Sequence, residues 1–247
     1  MQPDNTPLDL DRPRTVIEIV LTTLRFYRNY ASLVLPLAAL AVLPYEAVVV
    51  IVARSAELGS RSKGDEGKTL ALLAAQLLIV QPLLAAMQAH ILEAIGAGEQ
   101  PTFREILRRT RPVLLNVIAA EIIAGIAVVA GLLCFAVPGL YLLVRFTIVA
   151  QTAAIEELDW PTALRRSMAL THNNWWRIFG LLVIGGLVNG VVQVLGSSST
   201  GSGLTVGSVI VGALCALLTL TFSSLLSAML YFDLRARYSG AQFNRWR

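Results

Sequence analysis

The sequence predicts an all-α fold, a polytopic integral membrane protein with six transmembrane helices. Of its 247 residues, 55% are hydrophobic and 15% are charged, and the mean hydropathy is +0.66. A soluble domain is about 25% charged, and a chain of this length cannot enclose so much apolar surface in one aqueous core. The charges are also unevenly placed, since the 55 consecutive positions from Ile178 to Phe232 contain no Asp, Glu, Lys or Arg. We therefore expect a single membrane domain over residues 1–247.

Stretches that are nearly free of charge define the six spans. The first four are Ala31–Ala53, Thr69–Leu92, Pro112–Ala136 and Gly139–Ile155. The 55-residue stretch is long enough for two further spans of about 20 residues each. Between these two, the Gly- and Ser-rich segment Gly196–Gly203 is expected to form a flexible turn.

The basic residues predict that both termini are cytoplasmic, because Lys and Arg near span ends concentrate on that side. Six spans place fifteen basic residues on one side: Arg12, Arg14, Arg25, Arg28, Arg104, Arg108, Arg109, Arg111, Arg165, Arg166, Arg177, Arg235, Arg237, Arg245 and Arg247. The other side receives four: Arg54, Arg61, Lys63 and Lys68. A net charge of +4 beside span ends indicates contact with anionic lipid headgroups rather than nucleic acid.

Three segments on the basic side are predicted to be interfacial amphipathic helices. Thr15–Glu18 and Thr102–Glu105 have the pattern of a capping box, and Asp159 followed by a proline is another helix-start signal. Each segment precedes a pair of spans, which divides the chain into hairpin units at about 10–95, 101–158 and 160–234 and a cytoplasmic tail at 235–247. Two interpretations are open: a pseudo-threefold repeat around a central site, as in transporters, or helices that only anchor the boundary.

Three charged residues fall deep within the predicted spans: Glu46, Glu121 and Arg145. Because a charge in a span costs roughly 2.5–3.5 kcal/mol, pairing is expected. Counting a 1.5 Å rise per residue places Glu46 and Arg145 about 21–22 Å from the inner surface and Glu121 about 13 Å from it. Glu46 is therefore the expected partner of Arg145, with Glu121 as the alternative. A structural ion pair, a ligand or proton site, and snorkelling to the outer surface are all open interpretations.

No sequence motif indicates an enzyme, a metal site or a cofactor. The chain has two histidines and two cysteines, and it lacks HExxH, GxSxG, a P-loop and any Cys/His metal spacing. We therefore expect no catalytic residues.

The segment from Gly139-Leu-Tyr-Leu-Leu-Val-Arg145 through Glu156 and Arg165-Arg166-Ser167 to Trp176-Arg177 resembles a bacterial membrane-protein family. The closing Tyr231-Phe-Asp233-Leu-Arg235-Ala-Arg237 is similar to the same family, which is named for the membrane domain of glycerophosphoryl diester phosphodiesterases. The resemblance implies six helices and the bacterial inner membrane. No segment resembles the soluble phosphodiesterase domain, so that activity is not implied.

Among the motif positions, Glu156 lies nine residues before Arg165. A short turn would bring Arg165 or Arg166 beneath Glu156 and clamp the third interfacial helix to the bundle, and Asp233 and Arg235 are expected to act likewise at the end of span six. Arg108, Arg109, Arg165 and Arg166 are candidates for contact with lipid headgroups.

These observations favour a non-catalytic membrane protein that binds or organises phospholipid, as an accessory to lipid metabolism. The alternatives are a small-molecule or ion transporter or channel, and a scaffold for another membrane protein.

Overall fold

The computed structural model describes Leu10 and residues 12–58, 65–198 and 205–245, and within these residues it is helical without any strand. Six segments are long and apolar enough to cross a membrane: Ala31–Arg54, Gly67–Gly96, Phe103–Cys134, Ala136–Ile155, Trp175–Val192 and Val206–Gly240. The predicted six-span membrane class is confirmed at this level. The predicted outer-side residues Arg61 and Lys63 lie outside the described residues, as does Arg247.

Helix α1 (Val16–Asn29) precedes the first span and begins at the predicted capping box. The Thr15 hydroxyl accepts a hydrogen bond from the Glu18 amide (3.3 Å), and the Glu18 carboxylate accepts one from the Thr15 amide (2.7 Å). These two bonds satisfy donors that a helix start otherwise leaves unpaired.

The first two spans contain one irregular turn. Span one is α2 (Ala31–Leu58), and span two comprises α3 (Asp65–Ala75), a π-helical turn (Gln76–Val80) and α4 (Gln81–Gly96). In the turn, the Gln81 amide donates to the Gln76 carbonyl. Pro82 follows at once and has no amide hydrogen to extend a regular ladder, which explains why the register changes here.

The second predicted interfacial helix does not exist as a separate element. Helix α5 (Phe103–Cys134) runs unbroken from the connector through the third span, with Pro112 inside it. Thr102 makes no side-chain cap bond, so the predicted capping box is absent. Glu105 instead pairs with Arg109 one turn later (2.9 Å), and this intrahelical pair takes the carboxylate away from the helix start.

Span four is broken into α6 (Ala136–Phe146) and α7 (Val149–Ile155), with a two-residue turn at Thr147–Ile148. Helix α8 (Trp160–Thr171) packs lengthwise and antiparallel to this span. The Thr152 hydroxyl donates to the Ala163 carbonyl (3.2 Å), and the Ser167 hydroxyl donates to the Arg145 carbonyl (2.7 Å). The third predicted interfacial helix is therefore held against a broken span, and Asp159 makes no cap bond through its side chain.

Helices α9 (Trp175–Ser198) and α10 (Val206–Arg245) form the last two spans. Helix α9 includes Gly196–Ser198, which the sequence assigned to the glycine- and serine-rich turn, and the remaining residues 199–204 lie outside the described residues. Helix α10 continues through Arg245, so residues 235–245 of the predicted cytoplasmic tail extend the helix of the last span. Its buried residues, among them Tyr231 and Leu234, join one core cluster with α1, α2 and α4. The pseudo-threefold repeat stays a prediction.

A polar cavity among the spans as the candidate functional site

A cavity of about 790 Å³ lies between span two, α5, span four and α10. Its wall combines apolar side chains with six polar positions other than Glu121. These are Gln81, Thr147, Gln151, Ser223, Ser224 and Ser227. A volume of this size is in the range of pockets that bury a small organic ligand.

The rim of the cavity is apolar and faces outward. Leu133 is 82% exposed, Ile126 64% and Leu77 59%, and all three line the cavity. In a six-span protein these side chains are positioned where acyl chains would contact them. The cavity therefore opens sideways, toward the surroundings of the bundle.

Glu121 is the one acidic residue in the wall, and it lies near the middle of α5. Glu121 is 18 residues, or roughly 27 Å, along the helix from Phe103, and nine residues, or about 13 Å, from Pro112, where the predicted span begins. Among the described residues its carboxyl group has no hydrogen bond and no cation within ion-pair distance. An unpaired carboxyl at this depth is costly, and such residues mark functional sites in membrane proteins.

Gln151, on α7, is a second unpartnered polar group in the wall. Its side chain is only 2% exposed, and its amide oxygen has no hydrogen-bond partner. Several buried polar side-chain atoms of the described residues have no partner, and this one lines the cavity, where a ligand or water can bond to it.

Three hydroxyl groups of the wall donate their hydrogens to their own helices. Thr147 donates to the Leu143 carbonyl (2.8 Å), Ser224 to the Thr221 carbonyl (3.2 Å) and Ser227 to the Ser223 carbonyl (3.1 Å). The lone pairs of these oxygens remain available as acceptors. Together with Glu121, they make this wall rich in hydrogen-bond acceptors.

Two irregular backbone segments border the cavity. Thr147 belongs to the break in span four, and Leu77 and Leu78 belong to the π-helical turn of span two. Non-helical backbone at membrane depth is tolerated where it lines a cavity, and π-turns are frequent at functional sites.

The structure contradicts the predicted Glu46–Arg145 pair. Arg145 donates from Nη1 to the Met168 carbonyl (2.9 Å) and from Nε to the Tyr141 hydroxyl (3.0 Å). Among the described residues Glu46 forms no ion pair. The prediction compared depths along straight helices, whereas span four is broken and α8 packs against it, which brings the Met168 carbonyl to Arg145.

The predicted clamp at Glu156 is confirmed for Arg166 and not for Arg165. Arg166 Nε lies 2.8 Å from one Glu156 oxygen and 3.0 Å from the other, and the buried Tyr231 hydroxyl donates to the same carboxylate (3.0 Å). The Arg166 guanidinium also lies over the Tyr238 ring, 5.1 Å from its centre. Arg165 is exposed.

Asp233 anchors the same end of the bundle, with partners that the sequence did not indicate. Its carboxylate is fully buried and accepts from the Arg14 amide (2.5 Å), from Arg177 (3.0 Å) and from Arg237 (2.9 Å). Arg177 and Arg237 also donate to the Arg14 carbonyl. Arg235 is exposed and forms no ion pair with the described residues, so the structure does not place it in this cluster.

The predicted headgroup arginines divide into two classes. Arg109 is paired with Glu99 (2.7 Å) and Glu105, and Arg166 with Glu156. Arg108 and Arg165 are exposed. Arg108 lines a groove of about 590 Å³ with Leu107, Arg111, Pro112 and Leu115, which we call the basic groove.

Sequence reasoning found Glu121 but missed the other polar residues of the cavity. Gln81, Gln151 and the serines of α10 carry no charge, and each is compatible with an ordinary packing role in a span. For the serines, the sequence offers one indication: Ser223, Ser224 and Ser227 are spaced to lie on one face of a helix. The two glutamines have no such pattern. Within the described ranges, no group of three or more His, Cys, Asp or Glu residues is placed to hold a metal ion.

Comparison with known proteins identifies one family. Residues 29–242 match the model of the family described as "Domain of unknown function (DUF7847)". No curated protein and no solved structure matches the chain.

Proposed function

We propose that this chain, which belongs to the DUF7847 family, is a non-catalytic integral membrane protein that binds a membrane lipid in its lateral cavity. The observation that carries this proposal is the cavity itself: a volume of about 790 Å³ with an apolar, outward-facing rim and, among the apolar side chains of its wall, Glu121 and the buried polar residues Gln151 and Ser224. An amphiphile has the same division between an apolar and a polar part.

The basic groove supports an additional contact with anionic headgroups. Arg108 and Arg111 lie three residues apart near the start of α5, and Leu107 and Leu115 provide apolar surface beside them. A basic residue near an anionic membrane surface contributes about 1 kcal/mol to binding.

The charge distribution supports placing the protein in the cytoplasmic membrane with both termini inside. The resemblance to the membrane domain of glycerophosphoryl diester phosphodiesterases supports proposing phospholipid headgroups as the ligands of the basic groove and an accessory role in lipid metabolism.

A substitution that fills the cavity tests lipid binding. A side chain at Gly125, which lines the cavity, would meet no atom within 4 Å of its Cβ. The Cβ of Gly125→Leu therefore has free space, and its side chain extends from a segment that lines the cavity. Gly186→Leu is the matched control, because Gly186 has the same open surroundings on α9 and lies outside the cavity wall.

Native mass spectrometry of gently extracted protein is the measurement. We expect the wild type and Gly186→Leu to retain lipid and Gly125→Leu to lose it. Equal lipid retention by all three variants would contradict the proposal. A retained protein subunit in place of lipid would support the scaffold alternative.

A transporter is the second candidate, and the irregular backbone favours it. Transporters bind substrates at broken helices near the middle of the membrane. Here the break at Thr147–Ile148 and the π-helical turn both border the cavity. Replacing Thr147 with Leu leaves the rim intact and removes a polar group at the break. In cells, loss of uptake or export of a solute with lipid retention unchanged would favour transport over lipid binding.

A further inference from the structure

The polar wall of the cavity indicates what kind of amphiphile it binds. We infer that the ligand carries a protonated amine at its polar end, and that this ammonium group bonds to Glu121. The inference rests on the proposed function, because it concerns the occupant of the same cavity.

The first step is charge. Glu121 is the acidic residue of the wall, and the described residues provide no cation to pair with it. Lys and Arg are also missing from the residues that line the cavity. A bound ammonium group would supply the missing positive charge inside a region of low dielectric, where pairing matters most.

The second step is hydrogen-bond polarity. The Thr147, Ser224 and Ser227 hydroxyls donate to their own helices and present lone pairs, and the buried Gln151 oxygen is unpartnered. An ammonium group has three donors and no acceptor, so it complements these oxygens. A carboxylate or phosphate would present only acceptors, and in this wall it could pair only with the Gln81 and Gln151 amide groups and the Ser223 hydroxyl while facing the Glu121 carboxylate.

The third step is position. The basic groove and the cavity lie on one face of α5, since Arg111, Leu115, Ile122 and Gly125 follow each other at helical spacing. From Arg111 to Glu121, however, the axial distance is roughly 15 Å. The basic groove therefore takes an anionic headgroup at the membrane boundary, and the cavity takes a separate, smaller polar end deeper in the bundle.

Three probes of equal chain length distinguish the ligand classes: tetradecylamine, tetradecan-1-ol and tetradecanoic acid. Each is added at pH 7 to the full chain in detergent, and its retention is measured by native mass spectrometry. We expect the amine to be retained at about tenfold lower concentration than the alcohol and the acid, as a charge-assisted hydrogen bond would give.

Glu121→Gln removes the charge and keeps the size of the side chain. It should abolish the preference for the amine and leave retention of the alcohol unchanged. Glu46→Gln is the matched control, since Glu46 is also a carboxylic acid within a span and does not line the cavity. It should behave as the wild type. Gly125→Leu should weaken retention of the amine and the alcohol alike.

The outcomes separate the two proposals. The ammonium inference is wrong if the acid is retained at the same concentration as the amine, or if the amine is retained no better than the alcohol. Lipid binding stands in either case. An amine preference that survives Glu121→Gln also overturns it. If no probe is retained and Gly125→Leu leaves native lipid in place, both proposals fail.

Discussion

At the scale of single residues, the carboxylates of Asp233 and Glu156, at the predicted cytoplasmic end of the bundle, are each paired with groups from other segments of the chain. Asp233 of α10 receives the Arg14 amide and the guanidinium groups of Arg177 and Arg237. Two residues earlier, the Tyr231 hydroxyl meets the Glu156–Arg166 pair. Tyr231 and Asp233 lie within one turn of α10, and through them this helix contacts the segment before α1, the end of span four, α8 and the start of α9.

Asp233→Ala should strongly destabilise the protein. It leaves two guanidinium groups without their common carboxylate, and breaking a buried ion pair in this way typically costs about 3–5 kcal/mol. Thermal unfolding in detergent measures the effect. Glu99→Ala serves as the control: it removes a half-exposed partner of Arg109, and an exposed pair contributes about 0–1 kcal/mol. Equal losses in the two variants would show that the Asp233 cluster is not a buried anchor.

Arg145 and Glu46 should behave independently, because they share no partner. Arg145→Leu loses the bonds to the Met168 carbonyl and the Tyr141 hydroxyl and should lower the melting temperature. The effects of Arg145→Leu and Glu46→Leu should add to within about 0.3–0.5 kcal/mol in the double variant. If the double variant recovered stability, Arg145 and Glu46 would be a direct pair. That result would contradict the structure, in which Arg145 bonds to Met168 and Tyr141.

At the scale of secondary-structure elements, helix starts and breaks depend on side chains that satisfy backbone groups. The Thr15–Glu18 box does so at α1, where the Thr15 amide holds the pKa of Glu18 below its ordinary value. A carboxylate whose pKa is lowered in the folded protein contributes fully to folding stability above its ordinary pKa. This stabilisation is lost as the pH falls through the lowered pKa. The cap is therefore intact at neutral pH.

Thr15→Ala should loosen the start of α1. Loss of an N-cap hydroxyl costs about 1 kcal/mol, so amide hydrogen exchange in the first turn should become faster. Thr22→Ala is the control, because Thr22 lies within α1 away from its start. Unchanged exchange at residues 17–19 in Thr15→Ala would contradict the role of the cap.

The break in span four is stabilised from outside by α8. The fully buried Ser167 donates to the Arg145 carbonyl at 2.7 Å, next to the turn at Thr147. Ser167→Ala should cost about 1–3 kcal/mol, since it leaves a buried carbonyl with a poorer partner, the Thr171 hydroxyl at 3.4 Å. Ser239→Ala, at an exposed hydroxyl that bonds within α10, should be nearly neutral in the same thermal unfolding assay.

At the scale of the whole molecule, the topology can be tested with one native and one introduced cysteine. Cys134 is exposed and is the last residue of α5, at the end of the bundle opposite the Asp233 cluster. In a Cys215→Ser variant, Cys134 should react with an impermeant maleimide in intact cells. In a variant with Cys134→Ser, Cys215→Ser and Ser239→Cys, labelling should require permeabilised cells. The reverse pattern would place the termini outside.

The sequence by itself determined the membrane class, the six spans and the Thr15–Glu18 cap. These properties depend on local hydropathy and on neighbours within one helical turn, and both can be counted along the chain. The Glu156–Arg166 clamp was also predictable, because a short turn leaves few positions for the two side chains.

Only the tertiary structure decided the break in span four, the partners of Arg145 and Asp233, and the cavity around Glu121. Each of these depends on which helices are neighbours and how they are staggered. Arg14 meets Asp233 across 219 residues, and the cavity wall draws on four separate spans. Uncharged residues such as Gln151 and Ser224 become part of a site only when packing places them around the same cavity as Glu121, because one at a time they are ordinary residues of a membrane helix.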